Sequence, residues 1–249
     1  MKLSLRSLLL AGVCLAASGV SHATSVGYTD YSSLLGSNAS WSLWDVFPGG
    51  GVVFGNTSAA SFSGRLDDQG TSDAVLSASF SGGNPGALLI PDAAGTANSQ
   101  LYTGGATTSF TVSAITTGTL STFVLQVKQN GANPSGGTDT SGLTSYFTPT
   151  LNGIAFTNAS VGSAFADPTS ASTNDWVITT WSWSGLNISE GELITLSFGG
   201  AFAHKSLDGF RIDADAGMAV PEPSTYALIA LGLGAVVWMA RRRSTVAVS

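Results

Sequence analysis

The chain has 249 residues, of which only 10% are charged, with 31 glycines, a single cysteine and a formal net charge of −6. Nine Lys and Arg against fifteen Asp and Glu exclude a nucleic-acid partner, because phosphate binding needs clustered cations. One cysteine excludes a disulfide framework, and with only two histidines beside it a multi-His/Cys zinc site is excluded too.

The N-terminus is built for export. Met1-Lys2-Leu3-Ser4-Leu5-Arg6 is basic, Leu8 to Ala17 is an apolar run of ten residues, and Ser21-His22-Ala23 sets small residues at the two positions a signal peptidase reads, Ser21 and Ala23. A signal peptide over residues 1–23, cut after Ala23, is expected. A lipid anchor on Cys14 is the rival reading, but Val13 stands where a small residue should adjoin the cysteine.

Residues 24–214 show apolar positions recurring with period two rather than 3.6, which predicts strands. In the run 74–80, Leu76, Ala78 and Phe80 share one face; in 109–115, Phe110, Val112 and Ala114 do the same. A turn at 116–119 leads into 120–128, where Phe123, Leu125 and Val127 share a side, so these two runs are expected to form a hairpin. Asn152-Gly153 suits a tight turn between 148–151 and 154–157. The runs 176–183, 193–198 and 210–214 complete at least seven alternating segments, and no amphipathic helix stands out in the body. In the last run Phe210 and Ile212 are expected inside, with Arg211 and Asp213 facing solvent. Many short strands with frequent turns predict an all-β fold, an antiparallel β-sandwich or jelly roll. A parallel β-helix is the alternative, but no regular repeat aligns along the chain. Residues 215–219 are expected to be a flexible stalk.

The tail, 220–249, has three parts. Val220-Pro221-Glu222-Pro223 is followed by an uncharged run of fifteen residues, Tyr226 to Ala240, and then by Arg241-Arg242-Arg243. As a helix the run would be about 22 Å long, a short single transmembrane helix that Ser224, Thr225 and snorkelling arginines can extend. Lys2 and Arg6 at one end and the arginine triplet at the other favour the cytoplasmic side, which leaves the body outside. This arrangement resembles the PEP-CTERM sorting signal of Gram-negative bacteria: a Pro-Glu-Pro box, one apolar helix and a basic terminus, in that order. The resemblance implies an exosortase as processing partner, a membrane cysteine protease that cuts near the box, with the inner membrane as a transient anchor and exopolysaccharide production as the setting. It covers about the last thirty residues and implies nothing about the activity of the body.

With both signals removed, five of the nine basic residues are gone and only Glu222 of the fifteen acids, so the body carries fourteen acids against Arg65, Lys128, Lys205 and Arg211, a net charge of −10. His204 is then the only histidine and no thiol remains, and no Gly-x-Ser-x-Gly elbow offers a serine nucleophile. Carboxylate pairs that glycoside cleavage needs are Asp67-Asp68 with Asp73, Glu190 with Glu192, and Asp213 with Asp215, all in turn or solvent-facing settings. No cofactor is required. Calcium is the one conceivable ion, at the oxygen-rich Asp67-Asp68-Gln69-Gly70-Thr71-Ser72-Asp73. Leu207-Asp208 followed by Ile212 is similar to the last strand of extracellular jelly-roll modules, which implies a structural or calcium-linked role for Asp208. Trp41, Trp44, Trp181 and Trp183 are candidates for a sugar-stacking platform, with core packing as the bland alternative. The leading expectation is an exported, noncatalytic envelope or matrix protein associated with extracellular polysaccharide. A secreted carbohydrate-binding module and a glycoside-active enzyme are the alternatives.

Overall fold

The computed structural model describes residues 26–45, 57–58, 62–66, 69–81, 88–90, 100–102, 107–130, 143–167, 175–201 and 206–219. Within them, two single-turn helices, α1 (Ser32–Leu35) and α2 (Leu143–Tyr146), accompany a run of strands. In chain order these are β1 (Ser40–Trp44), β2 (Thr57–Ser58), β3 (Phe62–Leu66), β4 (Gln69–Gly70), β5 (Val75–Ser81), β6 (Leu88–Ile90), β7 (Gln100–Tyr102) and β8 (Thr107–Thr116). They continue as β9 (Leu120–Asn130), β10 (Thr150–Leu151), β11 (Ile154–Ala155), β12 (Asn158–Val161), β13 (Trp176–Ile188), β14 (Leu193–Ala201), β15 (Ser206–Ala214) and β16 (Met218–Ala219).

The strands form two sheets, and every pairing among them is antiparallel. The first runs β12-β13-β9-β15-β7-β6-β2, with β1 also on β15 and β4 on β1; the second runs β11-β10-β14-β8-β5-β3, with β16 on β8. Aromatic side chains join the inner faces. Phe110 of β8 lies 4.6 Å from Phe210 of β15 and 5.1 Å from Phe198 of β14, and Phe147 meets Trp181 edge-on at 6.0 Å. Phe110, Phe123, Trp181, Trp183 and Phe210 are all fully buried. Offset and edge-on ring pairs add about 0.5–1.5 kcal/mol each to the area they bury. The all-β, two-sheet expectation therefore holds.

Alternation placed the core residues well, but not the connections. Leu76, Phe110, Val112, Ala114, Phe123, Leu125 and Val127 all reach the core, as predicted. Yet β8 and β9 are not a hairpin: β8 pairs with β5 and β14 in one sheet, and β9 with β13 and β15 in the other. The turn at 117–119 crosses from sheet to sheet, which a period-two pattern cannot distinguish from a hairpin because both strands bury the same kind of face. The Asn152-Gly153 turn does form a hairpin, with Leu151 opposite Ile154. Both turn residues have positive φ, 50° and 78°, which is the requirement of a two-residue primed turn.

The segment 215–219 is not a stalk. Met218 and Ala219 pair with Thr116 and Ile115 of β8, and Ala216 and Met218 are buried. Among the described residues no helix is long and apolar enough to cross a membrane; the expected helix at 226–240 and the signal peptide at 1–23 lie outside them.

Candidate functional site

The first sheet is covered on its outer face as well. Both faces of β15 are buried along its whole length, and β9 is buried continuously from Phe123 to Asn130. Two chain segments provide the cover. Thr29 pairs through its backbone with the side chain of Gln126, donating N–H to Oε1 at 2.9 Å and accepting from Nε2 at 2.7 Å, as an added strand would. Phe165 forms a two-way backbone bridge with Trp176, at 2.9 and 2.7 Å.

Beneath these covers lie two ionic clusters. In the first, the Arg211 guanidinium donates to Asp213 at 2.7 and 3.0 Å and to Asp30 at 2.6 Å, while its Cζ sits 4.4 Å from the centre of the Trp41 ring. Asp213 also accepts from Gln126 at 3.2 Å and from the Ser32 backbone at 3.2 Å. The expectation that Arg211 and Asp213 face solvent is thus corrected: both do point away from the core, but that side is roofed, and Asp213 is fully buried. Burial raises the Asp213 carboxyl above its usual range, against the pull of Arg211. Asp30, which is exposed, is lowered by its hydrogen bond from Ser32 and by Arg211.

The second cluster centres on Lys128 of β9. Its Nζ is 2.6 Å from Asp208 Oδ2 and in ion contact with Asp167 Oδ2. Side-chain exposure is 1% for Lys128, 0% for Asp167 and 7% for Asp208. The rings of Phe165 and Trp176 stand 5.7 and 5.6 Å from the nitrogen. A register shift between Leu207 and Gly209 delivers Asp208 to this place. Strict alternation from Phe210 would have turned Asp208 inward; the bulge turns Leu207 into the core and Asp208 out to Lys128. Close by, a Cβ on Gly209 would stand 2.7 Å from the Trp44 carbonyl and 2.8 Å from the Tyr28 hydroxyl, so the N-terminal segment lies directly on this glycine. Burial pushes the Asp208 carboxyl up to about 6, Lys128 pulling it down and Asp167 raising it further.

The expected tryptophan platform does not form. Trp44, Trp181 and Trp183 have no exposed surface, and an indole wholly inside the core presents no face to a sugar. Trp183 instead donates its ring N–H to the Ile154 carbonyl at 2.9 Å. Trp41 is half-buried, with Arg211 against its ring. Of the calcium candidates, Asp73 is exposed, Asp208 is held by Lys128, and Asp67 and Asp68 lie outside the described residues. Among the described residues no group of three or more His, Cys, Asp or Glu is placed to hold a metal ion. Glu190 and Glu192 are exposed in a turn. Asp215 accepts from the Ser121 backbone at 3.0 Å. His204, Ser21, Ala23, the box at Val220-Pro221-Glu222-Pro223 and Arg241 to Arg243 lie outside the described residues. Reasoning from sequence missed Lys128, Asp167, Gln126 and Asp30. The available signal was the scarcity of cations: two of the body's four, Lys128 and Arg211, interrupt apolar strands, where a lone cation must find buried partners.

Comparison with known proteins gives one family match: residues 219–243 match the PEP-CTERM protein-sorting motif. No curated protein and no solved structure matches the chain.

Proposed function

We propose that this chain is an exported, noncatalytic β-sandwich that an exosortase processes at its tail and that takes its place in the polysaccharide-rich layer outside the cell. The sorting motif at 219–243 carries the export and processing part of this reading. The scaffold part is supported by how the side chains are used. The indoles of Trp44, Trp176, Trp181 and Trp183 fill the interior, and Asp30, Asp167, Asp208 and Asp213 are bound to Arg211 and Lys128. Carboxylates held by buried cations brace strands and segments together, whereas glycoside cleavage needs two carboxyl groups facing an open cleft.

A weak hold on sugar through Trp41 is the second reading, since its ring is the one predicted platform member with exposed surface. Retention of the purified chain on the host's own extracellular polysaccharide, beside a panel of simple glycans, tests both. A scaffold stays with the native matrix but shows no saturable retention on any simple glycan, and Trp41→Ala changes nothing. Saturable retention lost in Trp41→Ala would replace the scaffold reading with a binding module, and failure to associate with the matrix at all would sink both.

A further inference from the structure

We propose that Lys128 and Asp167 condense into an intramolecular amide, with Asp208 as the acid that carries the protons, so that an isopeptide bond ties β9 to the segment after β12. The reacting groups are held by three separate elements. Lys128 lies near the C-terminal end of β9, Asp208 is set on the bulge of the neighbouring β15, and Asp167 follows Phe165, whose backbone is bridged to Trp176. Lys128 Nζ touches Asp167 Oδ2 and stands 2.6 Å from Asp208 Oδ2, with almost no side-chain exposure at any of the three. Such fixed contact removes the entropic cost of bringing amine and carboxyl together.

If all three groups were ionised, the trio would carry a net negative charge inside a cage walled by Phe165 and Trp176. Within that cage the reaction starts when a proton passes from Lys128 Nζ to Asp167 across their contact, which leaves an amine beside a carboxylic acid. The amine lone pair then attacks Asp167 Cγ and a C–N bond forms. Asp208, in its protonated form, donates to the carboxyl oxygen and takes up a proton from the attacking nitrogen. One C–O bond of Asp167 breaks, the oxygen leaves as water, and Asp208 ends as it began. No oxidant, nucleotide or metal enters the balance. Exclusion of water from the cage favours the amide over its hydrolysis. Asp208 is raised by burial to about 6, so it can hold a proton at mildly acidic pH. The body has no cysteine, since Cys14 lies in the predicted signal, and this bond supplies a covalent brace by other means.

Tryptic mapping of the full chain under denaturing conditions reads the bond directly. In an unlinked chain trypsin cuts after Arg65, Lys128 and Lys205, giving residues 66–128 and 129–205 as separate peptides. An acylated lysine is not cut, so the linked chain yields residues 66–205 as one piece, lighter than its sequence mass by one water. Separate, unmodified peptides would overturn the proposal. A bond on Asp208 would carry residues 206–211 on the same fragment and would overturn the assignment of the two carboxyls. Asp208→Asn keeps the side-chain shape, and is expected to fold with an unchanged β-sheet circular dichroism spectrum while slowing bond formation by roughly a hundredfold or more. Linking at the natural rate in that variant would remove Asp208 from the reaction.

Discussion

At the scale of single residues, the Lys128 cluster gives the protein an acid-favouring stability. Asp208 is raised by burial from its usual 3.8 to about 6, while Lys128, Asp167, Tyr28 and Asp45 supply the other charged or titratable groups near it. The folded form therefore holds this proton more tightly than the unfolded chain. The contribution is complete below the unfolded value, is lost as pH rises through the interval up to the folded value, and is level beyond it. A shift of this size corresponds to about 3 kcal/mol. Thermal melts are expected to give a higher Tm at about pH 4 than at about pH 7, with the difference reduced in Asp208→Asn; a natural chain equally stable at both would contradict the burial argument. Little of this was legible beforehand. Alternation correctly put Arg211 and Asp213 on the face opposite Phe210 and Ile212, but it says nothing about what lies over that face. For Asp208 a one-residue bulge reversed the direction that alternation gives.

At the scale of elements, local turn chemistry was the most readable signal and long-range connection the least. The Asn152-Gly153 turn follows from residue type, because few residues besides Asn and Gly accept positive φ. Its Asn152 side chain also bonds the adjacent strand, accepting from the Thr195 N–H at 2.7 Å and donating to the Leu193 carbonyl at 3.2 Å. A Cβ on Gly153 would meet nothing within 4 Å, so Gly153→Val tests the backbone alone at φ 78°. It is expected to lower stability by about 1–2 kcal/mol in denaturant melts; no change would mean that the turn relaxes freely. By contrast, β8 and β9 look like a hairpin in sequence and belong to different sheets. Residues 215–219 look like a linker because they are short, small and next to Pro221, yet β16 closes onto β8. Lys128 and Asp167 are 39 residues apart. An amide between them would close a loop whose restriction in the unfolded chain contributes about 4 kcal/mol by the chain-entropy argument used for disulfides.

At the scale of the whole molecule, the fold and the address meet with almost no spacer. β16 ends at Ala219, and the sorting motif spans 219–243, so the Pro221-Glu222-Pro223 box begins two residues beyond the paired strand. In the reading proposed above, an exosortase cut near the box would fall just beyond β16 in the chain and leave that strand with the body. The two-sheet class was legible because alternation and turn residues agree along most of the body. Its internal ionic bracing was not, since the pairs join residues far apart in the chain, Asp30 with Arg211 and Lys128 with Asp167. Cell fractionation with intact-mass analysis of the natural chain and of a variant with Arg241, Arg242 and Arg243 replaced by glutamine decides the matter. The natural chain should appear outside the inner membrane, lacking its signal peptide and cut near Pro221 to Pro223, while the variant accumulates uncut at the membrane. Recovery of the natural chain with its tail intact, distributed like the variant, would contradict an exosortase-processed protein of the outer layer.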